Sequence, residues 1–248
     1  MGFKYFSPMV YSFYNMYCKY MLFRTVPGLR SAIENYTNLT NSTGTKYPTL
    51  YRAVRIIMSK MPNNILESGT GTSTIVLAHT ILYLKSRYPN YNCKIISMES
   101  LEDYYNLAVR ILPDCYKDVV EIILGSREEY SYSLFRGYIH SNIPTLNYDL
   151  VFLDGPNYDD DRGSSCCMDA IYIRLMSDVN YLYVVIDTRV TSVFMMQNIF
   201  GVNILSYFPF FRTSSFKSPR ILKNPKLSSS SFHYYINGRC MLKNTFLA

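Results

Sequence analysis

Five short apolar runs in this 248-residue chain end in residues that could do chemistry. The first runs into a glycine-rich turn, Glu67-Ser68-Gly69-Thr70-Gly71-Thr72-Ser73, and the second closes on Glu99. The third ends at Gly125-Ser126, the fourth at Asp154-Gly155-Pro156 and the fifth at Asp187-Thr188-Arg189. Glycines at 69 and 71 permit backbone conformations that a Cβ forbids and let a ligand approach the main chain. A carboxylate one strand after such a turn, as Glu99 is, can accept hydrogen bonds from the two hydroxyls of a ribose; it can equally brace the turn before the next helix. Asp154 can take a proton from an acceptor. With Asp187 it can also offer oxygen ligands to a hard cation such as Mg²⁺. Asp-Gly is at the same time a common turn pair, so both aspartates can simply close turns.

The turn discriminates between ligands. A dinucleotide fingerprint asks for a third glycine at position 74, where threonine stands. It also asks for a helix start free to receive a pyrophosphate, which Glu67 would repel. An acid there suits a ligand bearing an ammonium group, and S-adenosylmethionine carries an amino-acid end, a sulfonium and a ribose but no phosphate. An NAD-dependent oxidoreductase is disfavoured for the same reasons.

The elements that must position these residues follow from hydrophobic patterning. A helix is expected over 47–61, ending before Pro62. An alternation follows: strand 64–68, helix 74–87, strand 94–99, helix 101–111, strand 119–124, a mixed segment to 147, strand 148–153, a helix near 166–177, strand 181–187 and helix 190–199. Ser73 and Thr74 are natural caps for the first helix of this series. Continuous apolar strands alternating with helices predict an α/β protein with a doubly wound, Rossmann-like and mostly parallel sheet. Two further strands, 202–208 and 232–237, joined by a Pro-, Ser- and Lys/Arg-rich connection, predict an antiparallel C-terminal hairpin at the sheet edge. In such a sheet ligands bind beyond the carboxyl ends of the strands, where the residues above converge.

On these residues the chain resembles the class I S-adenosylmethionine-dependent methyltransferases over about residues 47–240. The ExGxGxS turn at 67–73 looks like their first motif, Glu99 like their ribose-binding acid and Gly125-Ser126 like their adenine-side loop. YDLVFLDGP (148–156) and VVIDTR (184–189) are similar to catechol-type O-methyltransferases and their bacterial and viral relatives. The resemblance implies transfer of a methyl group to a hydroxyl oxygen on a small-molecule, glycan or other anionic acceptor. Cofactor contacts would come from Glu67, Gly69, Gly71, Ser73, Glu99 and Ser126, with Asp154 at the acceptor. In the catechol-type enzymes the acids matching Asp154 and Asp187 bind a divalent cation, with an Asn or Asp beside the second; Thr188 stands at that neighbour here.

Two units are expected: an aromatic-rich N-terminal extension with a polar linker, 1–45, and the methyltransferase-like domain, 46–248. Net charge is +7 but unevenly spread, +7 over 1–66, −8 over 67–187 and +8 over 188–248. Basic flanks point to an anionic partner. The 212–226 segment interleaves Arg212, Lys217, Arg220, Lys223 and Lys226 with Phe216, a composition that can contact nucleic acid; the alternative function is therefore a nucleic-acid-binding or scaffold protein on a degenerate methyltransferase fold. Six cysteines without metal spacing suit a reducing, cytoplasmic setting. The aromatic stretch within residues 1–24 is too short and too interrupted to span a bilayer. It could pack on its own domain, on a partner or at a membrane surface.

Overall fold

The computed structural model describes residues 3–40, 46–155, 159–160, 163–164, 166–187, 189–201, 203–205 and 211–222. Three helices come first: α1 (Phe3–Thr25), α2 (Leu29–Thr37) and α3 (Tyr47–Lys60). Then β1 (Asn64–Ser68), α4 (Thr72–Arg87), β2 (Lys94–Glu99), α5 (Glu102–Ile111) and β3 (Val120–Leu124) alternate as the patterning predicts. A hairpin, β4 (Arg127–Tyr132) and β5 (Phe135–His140), precedes β6 (Leu150–Leu153). Three two-residue strands follow, β7 (Asp159–Asp160), β8 (Gly163–Ser164) and β9 (Cys166–Cys167), then α6 (Asp169–Met176), β10 (Leu182–Ile186), α7 (Val190–Phe200) and β11 (Ser214–Ser218).

The main sheet has the order β11-β10-β6-β1-β2-β3, parallel except for β11. Because strand side chains alternate, each strand feeds two cores. Ile65, Ile95, Leu150, Phe152 and Val185 pack with residues of α2, α3 and α4 on one face. Leu66, Ile96, Met98, Val151, Leu153, Val184 and Ile186 pack with α6 and α7 on the other. This double burial explains why the strands read as unbroken apolar runs. From β1 the chain moves outward to β2 and β3, whereas β6 starts the other half toward β10. The switch point therefore lies between β1 and β6, and their carboxyl ends flank the crevice where ligands of this architecture sit.

The N-terminal helices lie on this body. Leu22, Val26, Leu29 and Ile33 are buried in the same core as α3 and α4, and removing such side chains from water contributes roughly 2 kcal/mol each. A polar tie holds the corner between α1 and α2: His79 on α4 meets the Pro27 carbonyl through Nε2 and the Tyr116 hydroxyl through Nδ1, each at 2.9 Å. Among the described residues no helix is long and apolar enough to cross a membrane.

Three expectations need correction. Helix α4 begins at Thr72, two residues before the predicted start, because Thr74 serves as its third residue rather than as a cap. The segment read as mixed contains the β4–β5 hairpin, turned at Ser133 with φ 56°. The antiparallel neighbour of β10 is β11, inside the stretch read as a connection. Polar SSFKS has one large apolar residue, Phe216, which packs 5.0 Å from the Phe200 ring, so its periodicity is faint. Of the strand predicted at 202–208, residues 203–205 form a turn region and the remainder, like the whole of 232–237, lies outside the described residues.

Candidate functional site

The glycine turn leaves β1 at the switch point. Its backbone is held on both sides: Gly69 N–H donates to the Met98 carbonyl at 2.8 Å, and Asp154 N–H donates to the Ser68 carbonyl at 2.9 Å. Gly69 adopts φ +95°, and a Cβ there would lie 2.9 Å from Gly155 N and 3.0 Å from the Asp154 carbonyl. Its glycine is thus required both by conformation and by the close approach of the turn after β6. Gly71 differs, since a Cβ at that position would meet nothing within 4 Å. The space beside Gly71 is open, and it is where a ligand can lie against the main chain.

Beneath the turn runs a relay of hydroxyls that ends on a buried acid. Gly71 N–H donates to Thr74 Oγ1 at 3.0 Å, and Thr74 Oγ1 donates to Glu67 Oε2 at 2.6 Å. Ser97 Oγ reaches the same oxygen at 2.6 Å and lies 3.0 Å from Thr70 Oγ1. Threonine at 74, where a dinucleotide fingerprint has glycine, is therefore a latch between turn and acid. Glu67 is fully buried and, among the described residues, its Oε1 has no hydrogen-bond partner. Burial pushes its pKa up to about 7 although the Ser73, Ser97 and Thr74 hydroxyls pull the other way. Glu67 thus acts on the turn through hydroxyls, and Ser73 is buried beside it.

Glu99 closes β2 opposite the turn. Its Oε1 accepts from Ser100 N–H at 2.8 Å and Leu101 N–H at 3.0 Å, bracing the approach to α5. Among the described residues its Oε2 has only a long contact, 3.4 Å, from Thr70 N–H, so an acceptor oxygen remains beside the turn. Tyr36, from α2, stands near both acids: burial first, then the charges of Glu67 and Glu99, raise its phenol to about 12. Ser126 is exposed after β3, its Oγ 3.1 Å from Ser141 Oγ. Gly125 is a packing glycine, where a Cβ would lie 2.4 Å from the Ser141 carbonyl.

The acids after β6 and β10 meet two cations. Lys46, just before α3, places Nζ 2.6 Å from Asp187 Oδ2 and 3.6 Å from Asp154 Oδ1. Arg189 Nε lies 3.3 Å from Asp187 Oδ1, whose oxygen also accepts the Arg189 N–H at 3.1 Å. An Arg189 terminal nitrogen donates to the Asp154 carbonyl. Burial alone would lower the Lys46 pKa, but Asp187 and Asp154 more than offset it. Burial and the neighbouring Asp187 hold Asp154 above the ordinary carboxylate range against the pull of Lys46 and Arg189.

Asp154 and Asp187, the expected ligands of a divalent cation, are held in this arrangement by Lys46 and Arg189. Both Asp187 oxygens are engaged by positive groups, and an ammonium 2.6 Å from Oδ2 occupies the position where Mg²⁺ would need to sit about 2.1 Å from the oxygens. Among the described residues no group of three or more His, Cys, Asp or Glu converges as a metal site. The Asp159–Asp160 pair forms a two-residue strand with Gly163–Ser164, and Asp161 lies outside the described residues.

A second buried cluster was not anticipated. Asp169, at the start of α6, accepts from Ser68 Oγ at 2.6 Å, the His140 backbone N–H at 2.9 Å and His140 Nδ1 at 2.7 Å. Burial would raise its pKa, yet the His140 ring and these hydrogen bonds lower it. Ser68 donates to the aspartate and not to the imidazole, and the His140 and Asp169 side chains are fully buried. The cluster therefore does not activate a nucleophile: it ties the ends of β1 and β5 to α6 beneath the turn. The described cations of the 212–226 segment have local partners: Arg212 lies over the Tyr11 ring at 4.6 Å, Lys217 over Tyr181 at 3.1 Å, and Arg220 pairs with Asp178 at 2.8 Å. Lys223 and Lys226 lie outside the described residues.

Neither a family model nor a curated protein matches the chain. Among solved structures, a caffeoyl-CoA O-methyltransferase candidate from Staphylococcus aureus is similar at TM-score 0.42 and 17% identity, over 70% of this chain and 73% of that one. A point mutant of MtNAS is similar at 0.40 and 12%, over 87% and 75%. MNMC2 from Aquifex aeolicus is similar at 0.40 and 14%, over 79% and 67%. At these scores the likenesses say nothing about what this chain binds; the parallel sheet, its switch point and the residues gathered there are features of the chain itself.

Proposed function

We propose that the protein binds S-adenosylmethionine at the β1–α4 turn and transfers its methyl group to a hydroxyl oxygen of a small-molecule, glycan or other anionic acceptor. The observation that carries this reading is the open space at Gly71, set between a latched turn and the available Glu99 Oε2. The residues fit the cofactor. Gly69, Gly71 and Ser73 line the amino-acid end, and Glu67, beneath them, fixes the turn through the Thr74 and Ser97 hydroxyls. Glu99 Oε2 takes a ribose hydroxyl, and Ser126 stands on the adenine side.

When bound, the cofactor supplies a methyl group activated by a sulfonium, and the electron pair of the broken carbon–sulfur bond stays on sulfur. Asp154 takes the proton that the acceptor hydroxyl gives up. A carboxylate whose pKa is raised toward neutrality is a better proton acceptor than one in the ordinary range. Lys46 and Arg189 keep positive charge beside the oxygen that becomes more negative as its proton leaves.

Calorimetric titration with S-adenosylmethionine and with its demethylated product tests the reading, with Gly71→Ala as the diagnostic variant. That change leaves the fold room for the new methyl group but fills the space assigned to the ligand, so affinity should fall by about tenfold or more with the melting temperature unmoved. Wild-type affinity retained in Gly71→Ala would remove the ligand from this turn.

A further inference from the structure

We propose that Lys46 takes the place of a divalent metal at the acceptor end of this site. The inference rests on the methyl-transfer reading for its purpose, but its geometry stands apart from it. Asp154 and Asp187 end neighbouring parallel strands, β6 and β10, and face each other across the carboxyl edge of the sheet. Two carboxylates brought together in this way repel unless a cation lies between them. Lys46 arrives from outside the sheet, from the residue before α3, and puts its ammonium 2.6 Å from one carboxylate and 3.6 Å from the other. Arg189 closes the inner side of Asp187, whose side chain is 3% exposed. No oxygen of Asp187 is left pointing at an empty position.

The ammonium does at this position what a metal ion would do for the protein's own groups. It holds the two acids in register and keeps a positive charge at the crevice. It has three N–H groups; one donates to Asp187 at 2.6 Å, while Asp154 lies at ion-pair distance, 3.6 Å. Its side chain is 38% exposed, so it also faces the space from which an acceptor arrives. An ammonium differs from a metal in one respect that matters: it can donate a hydrogen bond to an acceptor oxygen but cannot coordinate two vicinal oxygens at once. The site should therefore favour acceptors that offer a single hydroxyl beside a negative charge, rather than chelating diols.

The test is metal binding, which a purely structural role for Lys46 would not alter. Mn²⁺ binding to the 248-residue chain is followed by electron paramagnetic resonance for wild type, Lys46→Met, Lys46→Gln and Lys46→Arg, with circular dichroism reporting that each is folded. Wild type and Lys46→Arg should bind no Mn²⁺ at this centre. Lys46→Met and Lys46→Gln should each gain one stoichiometric site as the competing charge is removed, and Asp187→Asn in the Lys46→Met background should abolish it. Stoichiometric Mn²⁺ binding by wild type that Asp187→Asn removes would overturn the proposal, as would failure of both folded neutral variants to gain a site. Failure of S-adenosylmethionine to bind would instead strike the methyl-transfer reading and leave the Mn²⁺ result standing.

Discussion

Glu67→Gln should change how the stability of this protein depends on pH. Glu67 is fully buried; Oε2 is held by Thr74 and Ser97, while Oε1 is without a hydrogen-bond partner among the described residues and is the natural place for a proton. The side chain passes from 4.5 to about 7 on folding. A carboxyl whose folded pKa is raised contributes stability that is fully present below its unfolded pKa and lost as pH rises through the folded one. A difference of this size corresponds to about 3 kcal/mol, lost between about pH 4.5 and about pH 8. Glutamine is neutral throughout and its amide oxygen can accept from the same two hydroxyls. Urea denaturation of wild type and Glu67→Gln at several pH values isolates the effect, because every other group titrates in both proteins. Relative to wild type, Glu67→Gln should gain about 3 kcal/mol on going from acid to pH 8. A difference that stays constant over this range would refute the raised pKa, and with it the argument that this acid is held beneath the turn at a cost.

Other outcomes follow from the same contacts. Gly69→Ala combines φ +95° with contact at 2.9 Å to the turn after β6; it should lower stability by about 2 kcal/mol or more in denaturant titrations. Asp169→Asn disrupts the charge-assisted hydrogen bonds from Ser68 and His140 and should cost about 3 kcal/mol. Because the Asp169 pKa is lowered on folding, the stabilisation it removes is present above the ordinary aspartate pKa and fades as pH falls through the folded value, visible as a shallower acid limb in thermal melts. His79→Ala cuts the tie to Pro27 and Tyr116, so amide exchange in α1 and α2 should accelerate while the strands of the main sheet are little affected.

The sheet was legible because its strands are buried on both faces and their apolar runs are bounded by turns. β1 and β2 fall at their predicted positions for that reason. The hairpin at 127–140 was not legible, since REEYSY and FRGYIH carry mixed side chains and glycine in a half-buried sheet. β11 escaped notice because only Phe216 carries its inward face. In the site, the turn and Glu99 were readable from local order along the chain. Lys46 was not, because nothing near residue 46 tells that its side chain will cross to acids 108 and 141 positions later. The Ser68–His140–Asp169 cluster is likewise assembled from three separate elements. A histidine closing one strand and an aspartate opening a helix were the only local signs.

S-adenosylmethionine binding by the β1–α4 turn and Glu99 is what the proposed methyl transfer requires first. The most direct measurement is a calorimetric titration of the purified chain with this cofactor, run beside Glu99→Ala. Wild type should show a single saturable site, and Glu99→Ala should lose about tenfold or more in affinity, as a charge-assisted hydrogen bond to the ribose is removed. Absence of binding at millimolar cofactor, or a Glu99→Ala isotherm that overlays the wild type, would contradict this assignment.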